Sequence, residues 1–127
     1  MNWNIRNDAP VYTQLVDQIA RAIILGQFPP GGRLPSVREF AADAGVNPNT
    51  MQRALQQLER EGLVFTQRSS GRFITEDTAV IGEAKRTLAR QHIEQFMASM
   101  KKLGYTREEI IALLESGEEE DKNGSML

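Results

Sequence analysis

Asn47-Pro48-Asn49-Thr50-Met51-Gln52-Arg53-Ala54-Leu55-Gln56-Gln57-Leu58-Glu59-Arg60-Glu61-Gly62 carries two superimposed patterns. Its first two residues mark a helix start. The Asn47 side chain offers an oxygen to a free N–H of the first turn, and Pro48 suits the first helical position, where its missing N–H is not needed. Beyond them Met51, Ala54, Leu55 and Leu58 recur at the three-and-four spacing of a buried face, while Asn49, Gln52, Arg53 and Gln56 form a second stripe. That stripe is polar but almost uncharged. An ordinary solvated helix face carries Glu and Lys, whereas amide and guanidinium groups near a helix N-terminus match base edges in a DNA major groove. Taken alone, the stripe reads either as a base-reading face or as plain surface, so the flanking sequence has to decide.

Upstream, Val11–Leu25 has the periodicity of an amphipathic helix, with Tyr12, Leu15, Ile19, Ala22 and Ile23 on one face and Gly26 placed to end it. Pro29-Pro30-Gly31-Gly32 reads as a turn-rich connector. Ser36-Val37-Arg38-Glu39 is a capping box, opening a short helix that carries Phe40, Ala41 and Ala44 inward. Gly45-Val46 then supplies the turn before Asn47. Two short helices joined by such a turn, the second bearing a polar face, have the spacing of a helix-turn-helix.

Downstream, Leu63-Val64-Phe65-Thr66-Gln67 and Phe73-Ile74-Thr75 have the β-branched and aromatic content of paired strands. Between them Arg68-Ser69-Ser70-Gly71-Arg72 makes a small tip flanked by arginines, suited to lie along phosphates or enter a minor groove. A plain surface hairpin is the other reading. Helix pair and hairpin together point to a winged helix.

The composition sets bounds. With 127 residues the chain has room for one domain plus an appendage. There is no cysteine and one histidine, His92, so no disulfide framework, no cysteine-based zinc site and no metal or cofactor site is expected. The first residues lack a signal-peptide pattern and no apolar run reaches membrane-span length, so a cytoplasmic protein without membrane contact is expected. The net charge of −2 argues at first against nucleic acid, but its distribution matters more. Residues 1–76 hold eight arginines and no lysine against seven acids; residues 77–127 hold seven basic and ten acidic residues. A basic set made only of arginine favours planar, bidentate contacts. No nucleophile with its base, carboxylate pair or phosphate-binding glycine loop stands out, and Gly31-Gly32-Arg33 lacks the lysine of a P-loop, so the chain is not read as an enzyme.

Pro30-Gly31-Gly32-Arg33-Leu34-Pro35-Ser36, Ala41, Gly45-Val46, Thr50, Ala54-Leu55, Leu58-Glu59 and Glu61-Gly62-Leu63 give the run from Pro10 to Ile74 a specific resemblance. It resembles the DNA-binding domain of the GntR family of bacterial transcription regulators. Asn47-Pro48-Asn49-Thr50 with Gln52-Arg53-Ala54, and so short a C-terminal part, are similar to the YtrA subfamily in particular. The resemblance implies that Arg38, the start of the recognition helix, Arg53 and Gly71 meet DNA. The candidate DNA-binding residues are accordingly Arg33, Ser36, Arg38, Asn47, Asn49, Thr50, Gln52, Arg53, Arg68, Ser70, Gly71 and Arg72. The sequence departs from the family pattern at Pro48 and Gln52, where arginine is frequent, and at Ser69 and Arg72, where glycine and threonine are usual. Only Arg53 keeps guanine-reading chemistry on the helix.

From Thr78 to Leu103 one long helix is expected, with Ile81, Ala84, Leu88, Ile93, Phe96, Met97, Met100 and Leu103 at helical spacing and Gly104 ending it. Thr106-Arg107-Glu108-Glu109 caps a shorter helix carrying Ile110, Ile111, Leu113 and Leu114. Two helices cannot bury such a stripe between themselves, so a second copy is its natural cover. The candidate dimer interface is Ile81, Ala84, Leu88, Ile93, Phe96, Met97, Met100, Leu103, Ile110, Leu113 and Leu114. Residues 118–127 are acidic and expected to be disordered.

The expected architecture is therefore mainly α with a small β-hairpin. It comprises a winged helix-turn-helix DNA-binding domain over residues 1–76, a two-helix dimerisation appendage over 77–117 and an acidic tail over 118–127. The expected function is a homodimeric transcription regulator, a repressor on an inverted-repeat, double-stranded DNA operator, for which the family resemblance suggests neighbouring transporter genes. The alternative is a winged-helix protein-interaction module without specific DNA binding. The operator sequence and any small-molecule effector stay open.

Overall fold

The computed structural model describes residues 1–124, of which 118–124 by backbone alone. Its elements run α1 (Val11–Ile24), α2 (Val37–Ala44), α3 (Pro48–Arg60), β1 (Val64–Gln67), β2 (Gly71–Ile74), α4 (Thr78–Lys102) and α5 (Arg107–Gly124). This is the expected class, mainly helical with one antiparallel hairpin. No helix among the described residues is long and apolar enough to cross a membrane.

The helix ends follow their capping residues. Ser36 Oγ accepts the Glu39 N–H at 3.2 Å to open α2, and Gly45, in the left-handed conformation at φ 70°, closes it. Asn47 Oδ1 accepts the Asn49 N–H at 2.8 Å, with Pro48 in the first turn of α3. At the start of α5 the capping box is complete in both directions: Thr106 Oγ1 accepts from Glu109 N–H at 3.2 Å, and Glu109 Oε1 accepts from Thr106 N–H at 3.0 Å. Each such cap is worth about 0.5–2 kcal/mol of helix stability.

The chain divides into two compact units, residues 1–86 and residues 87–127, the division falling inside α4. In the first, Leu15, Ile19 and Ile23 of α1, Phe40 and Ala41 of α2, Met51, Ala54, Leu55 and Leu58 of α3, and Leu63, Val64 and Ile74 of the hairpin form one buried core. Burying a side chain of this size contributes about 1.5–3 kcal/mol. Val80, Ile81 and Ala84 of α4 pack against the same core. The compact unit thus reaches past Glu76, because the winged core uses the first turns of the long helix as cover.

Two sets of hydrogen bonds go beyond the sequence pattern, which for the arm suggests only that Trp3 packs against the domain. The connector after α1 is more than a turn: Ile74 N–H donates to Gly32 O at 2.8 Å, Leu34 N–H to Arg72 O at 2.9 Å and Gly31 N–H to Ile74 O at 3.0 Å, with a bridge between Arg33 and Phe73. It pairs with the edge of β2 that β1 leaves open. The N-terminal arm is also fixed. Gln14 Oε1 accepts from Arg6 N–H at 2.7 Å while its Nε2 donates to Arg6 O at 2.8 Å, and Gln18 holds Asn4 the same way at 3.0 and 2.7 Å. Trp3 packs edge-on against Phe40 at 5.2 Å and donates its indole N–H to Asp43 at 2.7 Å.

In the second unit Ile110 is buried, whereas Ile93, Phe96, Leu103, Ile111, Leu113 and Leu114 are exposed. Residues beyond Gly117, expected to lack structure, continue α5 as far as Gly124. Glutamate and lysine are good helix formers, and one glycine costs only about 1 kcal/mol in a helix interior. Residues 125–127 of the expected tail lie outside the described residues.

Candidate nucleic-acid interface

The α3 helix turns Met51, Ala54, Leu55 and Leu58 into the core, which leaves its other stripe outward by helical geometry alone. Asn49, Arg53 and Gln56 are exposed, and Gln52 and Thr50 half-buried. The Asn47 carboxamide oxygen is engaged in the cap, so Asn47 positions the helix start. Arg53 does not extend freely into solvent: its guanidinium carbon lies 3.7 Å from the ring centroid of Tyr12 on α1. Ser36 and Arg38 stand exposed at the N-terminus of α2, where the peptide dipoles favour an anion.

The wing is built for close approach. Gln67 pairs with Gly71, and Ser70 N–H donates to Gln67 O at 3.1 Å, so Arg68, Ser69 and Ser70 form an exposed tip. Ser69 sits at φ 66°, the region that normally calls for glycine. At Gly71, with φ 105°, an added Cβ would come within 3.2 Å of Arg33 Nε. Glycine there lets the Arg33 side chain lie against the wing backbone, which brings together Arg33 and Gly71, residues far apart in sequence.

Arg72 takes a different place from the one expected of a wing-tip contact. Its Nε donates to Glu59 Oε1 of α3 at 2.6 Å, the same oxygen accepts from Thr66 Oγ1 at 2.5 Å, and the Arg72 side chain is only 16 % exposed. Burial raises the Glu59 pKa, but the hydrogen bonds from Thr66 and Arg72 and the charge of Arg72 outweigh it, holding the carboxyl below the usual glutamate range. Thr66 of β1 and Arg72 of β2 therefore tie both strands to α3 through the Glu59 carboxylate. Asp43, near the arm, is also lowered, first by the Trp3 indole N–H, an effect that partial desolvation opposes.

The residues grouped as one interface stripe on α4 and α5 separate. Ile81 and Ala84 pack against the winged core, and Ile110 is buried. Leu88, Met97 and Met100 are half-buried, leaving Ile93, Phe96, Leu103, Leu113 and Leu114 exposed. Periodicity showed the stripe but not where each residue finds cover. The roles of Tyr12 and Glu59 were not anticipated either. The sequence shows Tyr12 only as part of the apolar face of the first helix, and Glu59 only as one of the positions that carry the family resemblance.

Comparison with known proteins gives a consistent result. Residues 11–74 match the description "Bacterial regulatory proteins, gntR family". The chain is similar to the HTH-type transcriptional regulator YhcF of Bacillus subtilis, 41% identical over 111 residues covering 87% of this chain and 92% of that one. It is also similar to the HTH-type transcriptional repressor YtrA of the same organism, 33% identical over 124 residues and covering 91% and 95%. Among solved structures, a GntR family transcriptional regulator from Listeria monocytogenes superposes with a TM-score of 0.81 at 38% identity, covering 88% of this chain and 98% of that one.

Proposed function

Because the chain belongs to the gntR family of bacterial regulatory proteins and is a DNA-binding transcriptional regulator, we propose that it acts as a homodimeric repressor on an inverted-repeat operator. The observation that carries this reading is the outward stripe of α3, amide-rich with one guanidinium, on a helix whose opposite face is fully committed to the core. Asn49, Gln52 and Arg53 supply base-edge donors and acceptors, Arg53 being suited to a guanine. Ser36 and Arg38 contact phosphate, as do Arg33, Arg68, Ser70 and the Gly71 backbone at the wing. Thr50 flanks the same surface.

Dimerisation is supported by the exposed Ile93, Phe96, Leu103, Leu113 and Leu114, which a second copy would cover in a two-fold interface. Repression is supported by the name of the YtrA relative; control of neighbouring transporter genes follows from the family resemblance alone. The protein acts in the cytoplasm, where it reaches chromosomal DNA. It needs no metal or cofactor for binding, and any small-molecule control acts at the subunit interface.

The test is selection of binding sites from randomised duplexes by the full-length protein. An enriched, two-fold symmetric sequence is expected. Arg53→Ala should weaken the best site by about 1–3 kcal/mol and relax one base pair per half-site. Arg38→Ala should weaken all sequences alike and reduce the salt dependence. Absence of any enriched sequence would refute the proposal.

A further inference from the structure

Tyr12 is the second residue of α1 and Arg53 the sixth of α3, and the cation–ring contact between them joins two helices of the same core. Together with Pro10, Val11, Asn49 and Thr50 they line one open hollow. Among the described residues no carboxylate lies within ion-pair distance of Arg53. The nearest acid along α3, Glu59, is engaged by Thr66 and Arg72. The Tyr12 ring is thus the partner that sets the direction of the guanidinium.

We propose that Tyr12 is a positioning residue for base recognition, holding Arg53 flat so that its N–H edge meets a guanine without a prior search through rotamers. The inference rests on the DNA-reading function above. A guanidinium stacks through its face, whereas all five of its N–H donors lie in its plane. Stacking on Tyr12 therefore leaves the bidentate edge free. An exposed arginine otherwise samples many rotamers, and ordering it on contact with DNA would cost about as much as one good hydrogen bond contributes. Orientation matters here because Pro48 and Gln52 leave Arg53 as the cation of the outward stripe.

Two measurements on the full-length protein test this. In the free protein, NMR signals of the Arg53 side chain should be shifted upfield by the ring current in wild type and Tyr12→Phe, and should return toward ordinary positions in Tyr12→Leu. Unshifted Arg53 signals in wild type would overturn the proposal without involving DNA. The second measurement is discrimination between the selected duplex and one with the Arg53-dependent base pair exchanged. Tyr12→Phe should discriminate like wild type, and Tyr12→Leu should lose about two- to fivefold with an unchanged salt slope. Added to Arg53→Ala, Tyr12→Leu should change discrimination no further. Equal losses in Tyr12→Phe and Tyr12→Leu would place the effect in the hydroxyl and contradict the stacking role. A Tyr12→Leu loss that persists without Arg53 would make it general to the fold and also contradict the proposal. If Arg53→Ala relaxes the base pair while Tyr12→Leu keeps it, the inference fails and the DNA-reading function stands; if wild type selects no sequence, the function itself fails.

Discussion

In residues 1–86 the apolar stripes close on one another, so that Leu15, Ile19, Phe40, Met51, Leu55, Leu58 and Ile74 are all essentially inaccessible. In residues 87–127 stripes with the same helical period leave Ile93, Phe96, Leu103, Leu113 and Leu114 in solvent, with Ile110 buried. A stripe records that a helix face wants cover, not what provides it. Three helices, a hairpin and the start of a fourth helix supply that cover within the first unit. The second has too few elements to do so, and its exposed face is what supports the two-copy assembly proposed above.

The largest effect expected from this contrast comes from charging the open face. Phe96→Glu combined with Leu113→Glu should yield a folded monomer whose affinity for a full operator falls on the order of 10²–10⁴-fold, while half-site binding changes little. Light scattering beside half-site and full-site titrations would check it; a variant that stays dimeric would remove this face from the assembly. The closed unit should respond in the opposite manner. Leu55→Ala, in the middle of the core, should cost about 2–5 kcal/mol in urea unfolding and lower half-site and full-site binding together.

A smaller effect concerns the joint between helix and wing. Glu59→Gln removes the charge that Thr66 and Arg72 share, and should cost about 1–2 kcal/mol given the partial exposure of the pair. Because the native pKa of Glu59 is depressed, its contribution is fully present above the unfolded value of about 4.3 and is lost as the pH falls through the lower native value. Urea titrations across that acid range should show a shallower pH dependence for Glu59→Gln than for wild type. The smallest effect is at the wing tip, where Ser69→Gly removes a strained left-handed conformation and should stabilise by about 0.5–1 kcal/mol after the added freedom of the unfolded chain is subtracted. Thermal unfolding would resolve it.

How far this contrast was legible in the sequence follows from which signals are local. Asn47-Pro48, Ser36 with Glu39, and Thr106 with Glu109 announce helix starts through side chains acting on neighbouring backbone, and the structure places helices there. Pairing of Gly31–Leu34 with β2 was hidden because a segment rich in glycine and proline looks like a turn, and its hydrogen-bond partners are some forty residues away. The inward fate of Arg72 was hidden for a similar reason: whether an arginine near a tip points out or in depends on a carboxylate from another element, here Glu59. Cover of Ile81 and Ala84 by the winged core, and the contact of the exposed Arg53 with the Tyr12 ring, likewise depend on tertiary neighbours that periodicity does not name.

In the proposed division of labour, the outward face of α3 and the wing read DNA while the second unit joins two copies. Amide hydrogen exchange of the full-length protein with and without its selected operator addresses it most directly. Added protection is expected at the N-termini of α2 and α3 and across Arg68–Gly71, with exchange in α5 little altered by DNA. Protection confined to α4 and α5, with the amides at the start of α3 and at the wing tip unchanged, would contradict it and favour a protein-interaction module instead.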